Sequence, residues 1–251
     1  MARPRALNPD GAAARLEAVE LSRELLHTAK GLERPGESAE LEALAAQLQG
    51  IHPERIAGDE RRIAFWLNVY NALILHCLAL RPLRGSLLRH LRLFDRVAYR
   101  VGGEDYPLNL IEHGLLRNNA RPPYRPRRLL RANDPRLAAA PAGLDPRVHF
   151  ALNCGAVSCP PIRSYAGGEL DEHLELATRS YLRAETRLDP VRRRLKLPRL
   201  MRLYRADFGT RDEQLTLAAR HVHDVEDWLE PGRSRLKVGY GRFDWTVAEP
   251  G

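Results

Sequence analysis

The chain is expected to fold as one α+β domain: a small antiparallel or mixed sheet with several helices around a central buried helix. Three observations predict this. Residues 60–80 form a helix-length run that is apolar almost all round, which a soluble fold buries at its centre. Short runs near 97–107, 194–197 and 235–247 alternate or cluster apolar residues between glycines and prolines, as strands do. Helical periodicity both precedes and follows them, so helices and strands are segregated rather than interleaved.

Taken in order, residues 1–10 read as a loose tail. Residues 11–31 carry an apolar helical face of Leu16, Val19, Leu21, Leu25 and Leu26, ended by Gly31 and Pro35. A second helix is expected from Ser38 to Gln49. Asp59 is placed to cap the central helix. Pro82 and Gly85 break that pattern, and a short helix at 86–92 follows. Val97–Val101, Gly102-Gly103 and Asp105-Tyr106-Pro107 spell a β-hairpin. Leu108–Arg117 is expected to be a short helix. Residues 118–147, rich in Pro, Arg and Ala, form a long irregular connection. His149–Asn153 is read as a buried strand running into a tight turn, Cys154–Pro161. Helices are then expected at 169–184, 199–205 and 212–229, the last ending before Pro231-Gly232. Strands are expected at Arg194–Leu197, Arg235–Val238 and Phe243–Val247.

No stretch is expected to reach the roughly 20 apolar residues of a membrane span. The basic N-terminus has no apolar segment behind it, so a cytoplasmic location is expected. The protein is basic, with a formal net charge of +8 carried almost wholly by arginine. The arginines are spread along the chain, so a nucleic-acid partner is not expected, although Arg121–Arg131 is dense enough to bind phosphate. The three cysteines, an odd number, argue against a disulfide framework.

The chemistry-bearing residues concentrate between His149 and Pro161. In a strand, His149, Ala151 and Asn153 would share one face and Cys154 the other. Gly155 permits an unusual turn that could return Cys154 or Cys159 to the imidazole, where a thiol acts as nucleophile. Asn68 and Asn71 share a face of the central helix, which also carries Tyr70 and His76. Glu112 and His113 are neighbours on a short helix, diverging by about 100°, so His113 is a second candidate base and Glu112 a candidate surface residue. A Cys2His2-type metal site from His149, Cys154, Cys159 and His76 or His113 is the competing chemistry. His221 and His223 read as solvent residues.

Three motifs together resemble the domain of unknown function 547 family. They are Phe65-Trp66-Leu67-Asn68-Val69-Tyr70-Asn71-Ala72-Leu73 with His76, Ile111-Glu112-His113-Gly114-Leu115-Leu116-Arg117, and His149-Phe150-Ala151-Leu152-Asn153-Cys154-Gly155-Ala156 with Ser158-Cys159-Pro160-Pro161. Weaker echoes are Tyr204-Arg205-Ala206-Asp207-Phe208 and Phe243-Asp244-Trp245. The resemblance implies residues 53–251 as the family domain, preceded by an N-terminal helical extension over 1–52. It also implies an α+β fold, for which a papain- or transglutaminase-like arrangement is the expectation. Carried over, its motifs mark Asn68, Tyr70, Asn71, His76, Glu112 and Ser158 as binding or orienting residues. Cys154, Cys159, His149, His113 and Asn153 are marked as catalytic candidates. The expected function is a thiol-dependent hydrolase or acyltransferase without metal or cofactor. The alternatives are a non-catalytic peptide- or protein-binding module and a Cys/His metal site.

Overall fold

A computed structural model describes residues 4–32, 39–229 and 236–248. The expected element starts at Ser38 and Arg235, and the breaks at Pro35 and Pro231-Gly232, lie outside these residues. The described elements run β1 (Arg5–Ala6), α1 (Ala18–Lys30), α2 (Ala39–Gln47), α3 (Asp59–Leu80), α4 (Leu93–Arg96), β2 (Val97–Val101) and β3 (Glu104–Pro107). After them come α5 (Leu170–Glu185), β4 (Arg187–Asp189), β5 (Arg194–Leu197), α6 (Arg199–Leu203), α7 (Arg205–Phe208), α8 (Arg211–His221), α9 (His223–Leu229) and β6 (Lys237–Tyr240). The architecture is α+β with two small mixed sheets.

The central helix is where the sequence puts it. From Ile63 to Ile74 every residue of α3 is buried, because no face of it is polar enough to meet water. It is also long and apolar enough to cross a membrane by composition, contrary to the expectation that no stretch is, yet 78% of its most apolar window is buried within the fold. Asp59 is the first helical residue rather than the cap. Gly58, at φ +81°, holds the cap position, and the Asp59 carboxylate instead accepts from the Ala142 amide at 3.0 Å. Helix α1 packs its Leu21, Leu25 and Leu26 face into the same apolar cluster as α3.

The predicted hairpin is present, with Tyr99 opposite Tyr106 and Gly102-Gly103 at φ +56° and +86°, values that suit a two-residue hairpin turn. Where a loose N-terminal tail was expected, β1 pairs in parallel with β2, and Asn8 is buried between the Ala45 carbonyl and the Arg100 backbone. In the second sheet β5 lies between β4 (antiparallel) and β6 (parallel). Residues 243–247 form two isolated bridges, Thr246 with Ser86 and Val247 with Ala156, instead of a strand. The helix expected over 212–229 divides at Val222 into α8 and α9.

Around the site the helix expected over Leu108–Arg117 is present in an unusual form, and the strand expected at His149–Asn153 is not. Leu110–Leu116 is a π-helix, with the Arg117 amide bonded five residues back to the Glu112 carbonyl at 2.9 Å. His149–Asn153 is not a strand. Pro146–Phe150 is a 3₁₀ helix whose start is set by Pro146 at its first position and by the Asp145 side chain accepting from the Arg147 amide at 2.9 Å. The shared face predicted for His149 and Asn153 therefore does not exist.

The apolar interior divides into two clusters. One surrounds α3; the other joins α5, the second sheet, α6 and α8 through Leu182, Leu195, Leu197, Met201 and Ala218. The Pro146–Phe150 turn straddles them, with Val148 in the first and Phe150 in the second. His149 sits between these two anchors, at the seam.

Candidate functional site at the seam of two cores

His149 is held on three sides. Its ring stacks on Tyr204 with centroids 3.8 Å apart, Phe208 lies 5.4 Å away, and Nε2 bonds Asp207 Oδ2 at 2.8 Å. Burial lowers its pKa below the usual imidazole value, against the pull of Asp207 and Glu112. The neutral ring therefore donates from Nε2 to the carboxylate, and Nδ1 carries the lone pair.

Asp207 is itself fixed by Arg117, whose Nε and Nη2 reach its two oxygens at 2.5 and 2.8 Å in a forked pair. Burial would raise this carboxyl, but hydrogen bonds from His149 and Arg117 outweigh it and hold it at about 2. The third arm of the guanidinium, Nη1, donates to His113 Nδ1 at 2.9 Å. A guanidinium can only donate, so Nδ1 is an acceptor and the His113 proton rides on Nε2, 3.0 Å from the Tyr124 hydroxyl. Tyr124 in turn donates to Asn109 Oδ1 at 2.7 Å. Burial takes His113 down to about 4, so it is neutral and both its nitrogens are committed.

Glu112, a binding candidate for which a surface position was the alternative, is buried. Its Oε1 accepts from the Tyr204 hydroxyl at 2.7 Å, and the Tyr70 hydroxyl lies 3.5 Å from Oε2. Burial, and next the Glu112 charge, push both phenols far above their usual range, so they remain donors.

The cysteine loop is built by asparagines. Asn71 of α3 takes the Asn153 amide on Oδ1 and gives Nδ2 to the Ala151 carbonyl, each at 3.0 Å. Asn153 Oδ1 accepts from the Gly155 amide at 2.7 Å, and its Nδ2 reaches the Pro160 carbonyl at 2.8 Å. Gly155 sits at φ +88°, and a Cβ there would lie 2.9 Å from Leu78 Cδ1. This curl brings the free thiols of Cys154 and Cys159 to 2.8 Å, with the Cys154 amide 3.1 Å from Cys159 Sγ. Burial opposes ionisation of Cys159, but the Cys154 thiol and the backbone amides of the turn outweigh it and lower its pKa. The contact with Cys159, and next desolvation, push the half-buried Cys154 up.

Cys154, Cys159, His149, Glu112 and Tyr70 all open on one cavity of about 280 Å³. Its remaining wall is largely apolar and includes Leu87, Leu91, Phe94, Leu200, Phe243 and Trp245. The other predicted residues lie outside it. His113 stands behind Arg117. Asn153 and Asn71 support the loop from beneath. Ser158 Oγ accepts from the Asp244 amide at 2.9 Å. Asn68 clasps the Tyr165 backbone, its Oδ1 and Nδ2 making bonds of 2.9 and 2.8 Å. His76 is buried against the Tyr99 hydroxyl at 2.9 Å. His221, expected in solvent, is buried with Nδ1 3.3 Å from Glu175. Among the described residues no group of three or more His, Cys, Asp or Glu side chains is disposed to hold a metal ion.

A family model described as "Protein of unknown function, DUF547" matches residues 54–182, half of the chain. The chain belongs to the DUF547 family. No curated protein and no solved structure matches it. The matched span of this DUF547 chain contains both loop cysteines, His149, Glu112, His113 and Arg117. Asp207, Tyr204 and Trp245 come from beyond it. Asp207, Arg117 and Tyr204 are site residues that sequence reasoning missed as participants, although all three stood inside quoted motifs. A carboxylate near an aromatic pair, and an arginine closing an apolar helix, were the available signals.

Proposed function

We propose that this cavity carries out thiol-dependent acyl transfer or hydrolysis on a substrate whose acyl group is apolar. The observation that carries the reading is that a thiol with lowered pKa and a histidine with one uncommitted nitrogen open on the same apolar-walled cavity. Cys159 is the nucleophile, His149 the base and Asp207 its orienting carboxylate.

The Cys159 sulfur, as thiolate, forms a bond to the substrate carbonyl carbon, with its proton held at His149 Nδ1. The imidazolium lies beside the Asp207 and Glu112 carboxylates, both of which favour it. Collapse of the tetrahedral adduct breaks the bond to the leaving group, which takes the proton from His149. The resulting thioester on Cys159 is then released by water or by an acceptor nucleophile that gives its proton to the same nitrogen. The apolar walls fit a hydrocarbon or aromatic acyl group.

The test is a nitrophenyl ester with a short alkyl acyl chain, followed by intact mass and peptide mapping. An acyl adduct on Cys159, absent in Cys159→Ser, is expected. Nitrophenol release at the rate of free ester, with no adduct, would sink the proposal.

A second reading, a peptide-binding module, draws on Leu88 and Leu91, which are 51% and 41% exposed at the cavity mouth. It predicts slow thiol alkylation, and peptide binding that survives Cys159→Ser.

A further inference from the structure

Acyl transfer uses one sulfur, and the loop supplies two. Cys154 and Cys159 are free thiols separated by 2.8 Å, inside van der Waals contact, and both border the cavity. The pair is also asymmetric. Cys159 Sγ accepts from the Cys154 amide at 3.1 Å, and among the described hydrogen bonds no backbone amide is given to Cys154 Sγ. The amide favours Cys159 as the attacking sulfur and leaves Cys154 in contact with it as the resolving one. The third cysteine, Cys77, is buried in α3, where burial pushes it up to about 11.

From this geometry we infer that Cys154 and Cys159 form a redox-active dithiol that reduces a neutral, apolar, low-molecular-weight disulfide bound in the cavity. The substrate class follows from the wall: its charged members are Glu112 and, when protonated, His149, and among the described residues no lysine or arginine lines it. An anionic disulfide meets a carboxylate there and no compensating cation.

The oxidation of the pair balances between the dithiol and the bound disulfide. Cys159 thiolate bonds to one sulfur of R–S–S–R, the S–S bond breaks, and one RS⁻ leaves, taking a proton. Cys154, giving its proton to His149 or solvent, then bonds to Cys159 Sγ and expels the second RS⁻. The substrate gains two electrons and two protons, and the chain gains one disulfide. A low-molecular-weight thiol returns the pair to its starting state. The inference shares its nucleophile with the acyl-transfer reading but does not depend on that reading's chemistry.

The test uses the full-length, fully reduced chain with dithiodipyridine, a neutral aromatic disulfide. Two pyridinethiones per chain are expected, with loss of two hydrogens from the protein, no retained adduct, and a mapped Cys154–Cys159 link. In Cys154→Ser one thione and a stable adduct on Cys159 are expected. A wild-type chain that keeps a stable mixed disulfide, or links neither cysteine, overturns the inference, and this readout needs no variant to fold. The dianionic dithiobis(nitrobenzoate) should react on the order of tenfold more slowly relative to a free thiol control; equal relative rates overturn the neutral-substrate assignment. Ester acylation is scored on the same preparation. Acylation without disulfide formation removes this inference alone, and disulfide formation without acylation removes only the acyl-transfer reading.

Discussion

Two buried histidines sit on opposite sides of the same Arg117–Asp207 pair, and they differ in what is left over. His113, on the π-helix, gives both ring nitrogens to the protein, one to Arg117 and one to Tyr124. His149, on the 3₁₀ turn, gives one to Asp207 and lines the cavity. Burial and a lowered pKa are common to both, so neither property separates a structural ring from one available for proton transfer. The count of committed nitrogens does.

The strongest way to break this comparison is to remove its shared centre. Arg117→Met leaves Asp207 buried beside a neutral ring and takes the donor from His113. It should cost about 3–5 kcal/mol, seen as a fall in urea midpoint at unchanged slope. A loss under about 1 kcal/mol would mean that the pair is a minor part of the fold.

Acid should expose the histidines next. His113 has a folded pKa of about 4 against an ordinary 6.5, so the unfolded chain binds its proton first. Its contribution is complete above pH 6.5 and is lost as pH falls toward 4, about 3 kcal/mol in all. His76, His149 and His221 are lowered as well and act in the same direction. Urea unfolding at steps from pH 7.5 to 4.5 should show stability dropping, with a shallower drop in His113→Gln. A flat profile would contradict the buried neutral rings.

Replacing the rings one at a time sharpens the contrast. Ester turnover should fall on the order of 100-fold in His149→Gln and less than about fivefold in His113→Gln. Equal losses would erase the distinction between the two rings.

The smallest expected effects separate loop support from general scaffolding. Asn71→Ala and Asn68→Ala should each cost about 1–3 kcal/mol. Only Asn71→Ala, which frees the Ala151 carbonyl and Asn153 amide, should also alter Cys159 alkylation by iodoacetamide. A matching change in Asn68→Ala would show that the loop responds to any loosening of α3.

What the sequence made legible was the regular part. Helix α3 was readable because Ile63–Ile74 has no polar face, the hairpin because Gly102-Gly103 suits positive φ, and α5 from its periodicity. The site itself was half legible. Its cysteines, His149 and Glu112 lie in motifs, but their arrangement depended on a run, His149–Asn153, too short for periodicity to separate strand from helical turn. Asp145-Pro146, just upstream, carried the helix-start signal that decides it. Asp207 was out of reach for another reason: it meets His149 across 58 positions, and only the packing of α7 against the seam brings them together.

The cysteine loop is fastened from far downstream. Val157 and Ser158 donate to the carbonyls of Thr246 and Asp244, Asp244 returns a bond to Ser158 across 86 positions, and the Ala248 amide reaches Gly155. A ribosome making this chain must therefore extrude Asp244–Ala248 before that clasp can form. Until then the nascent polypeptide holds both sulfurs in a loop without its final brace.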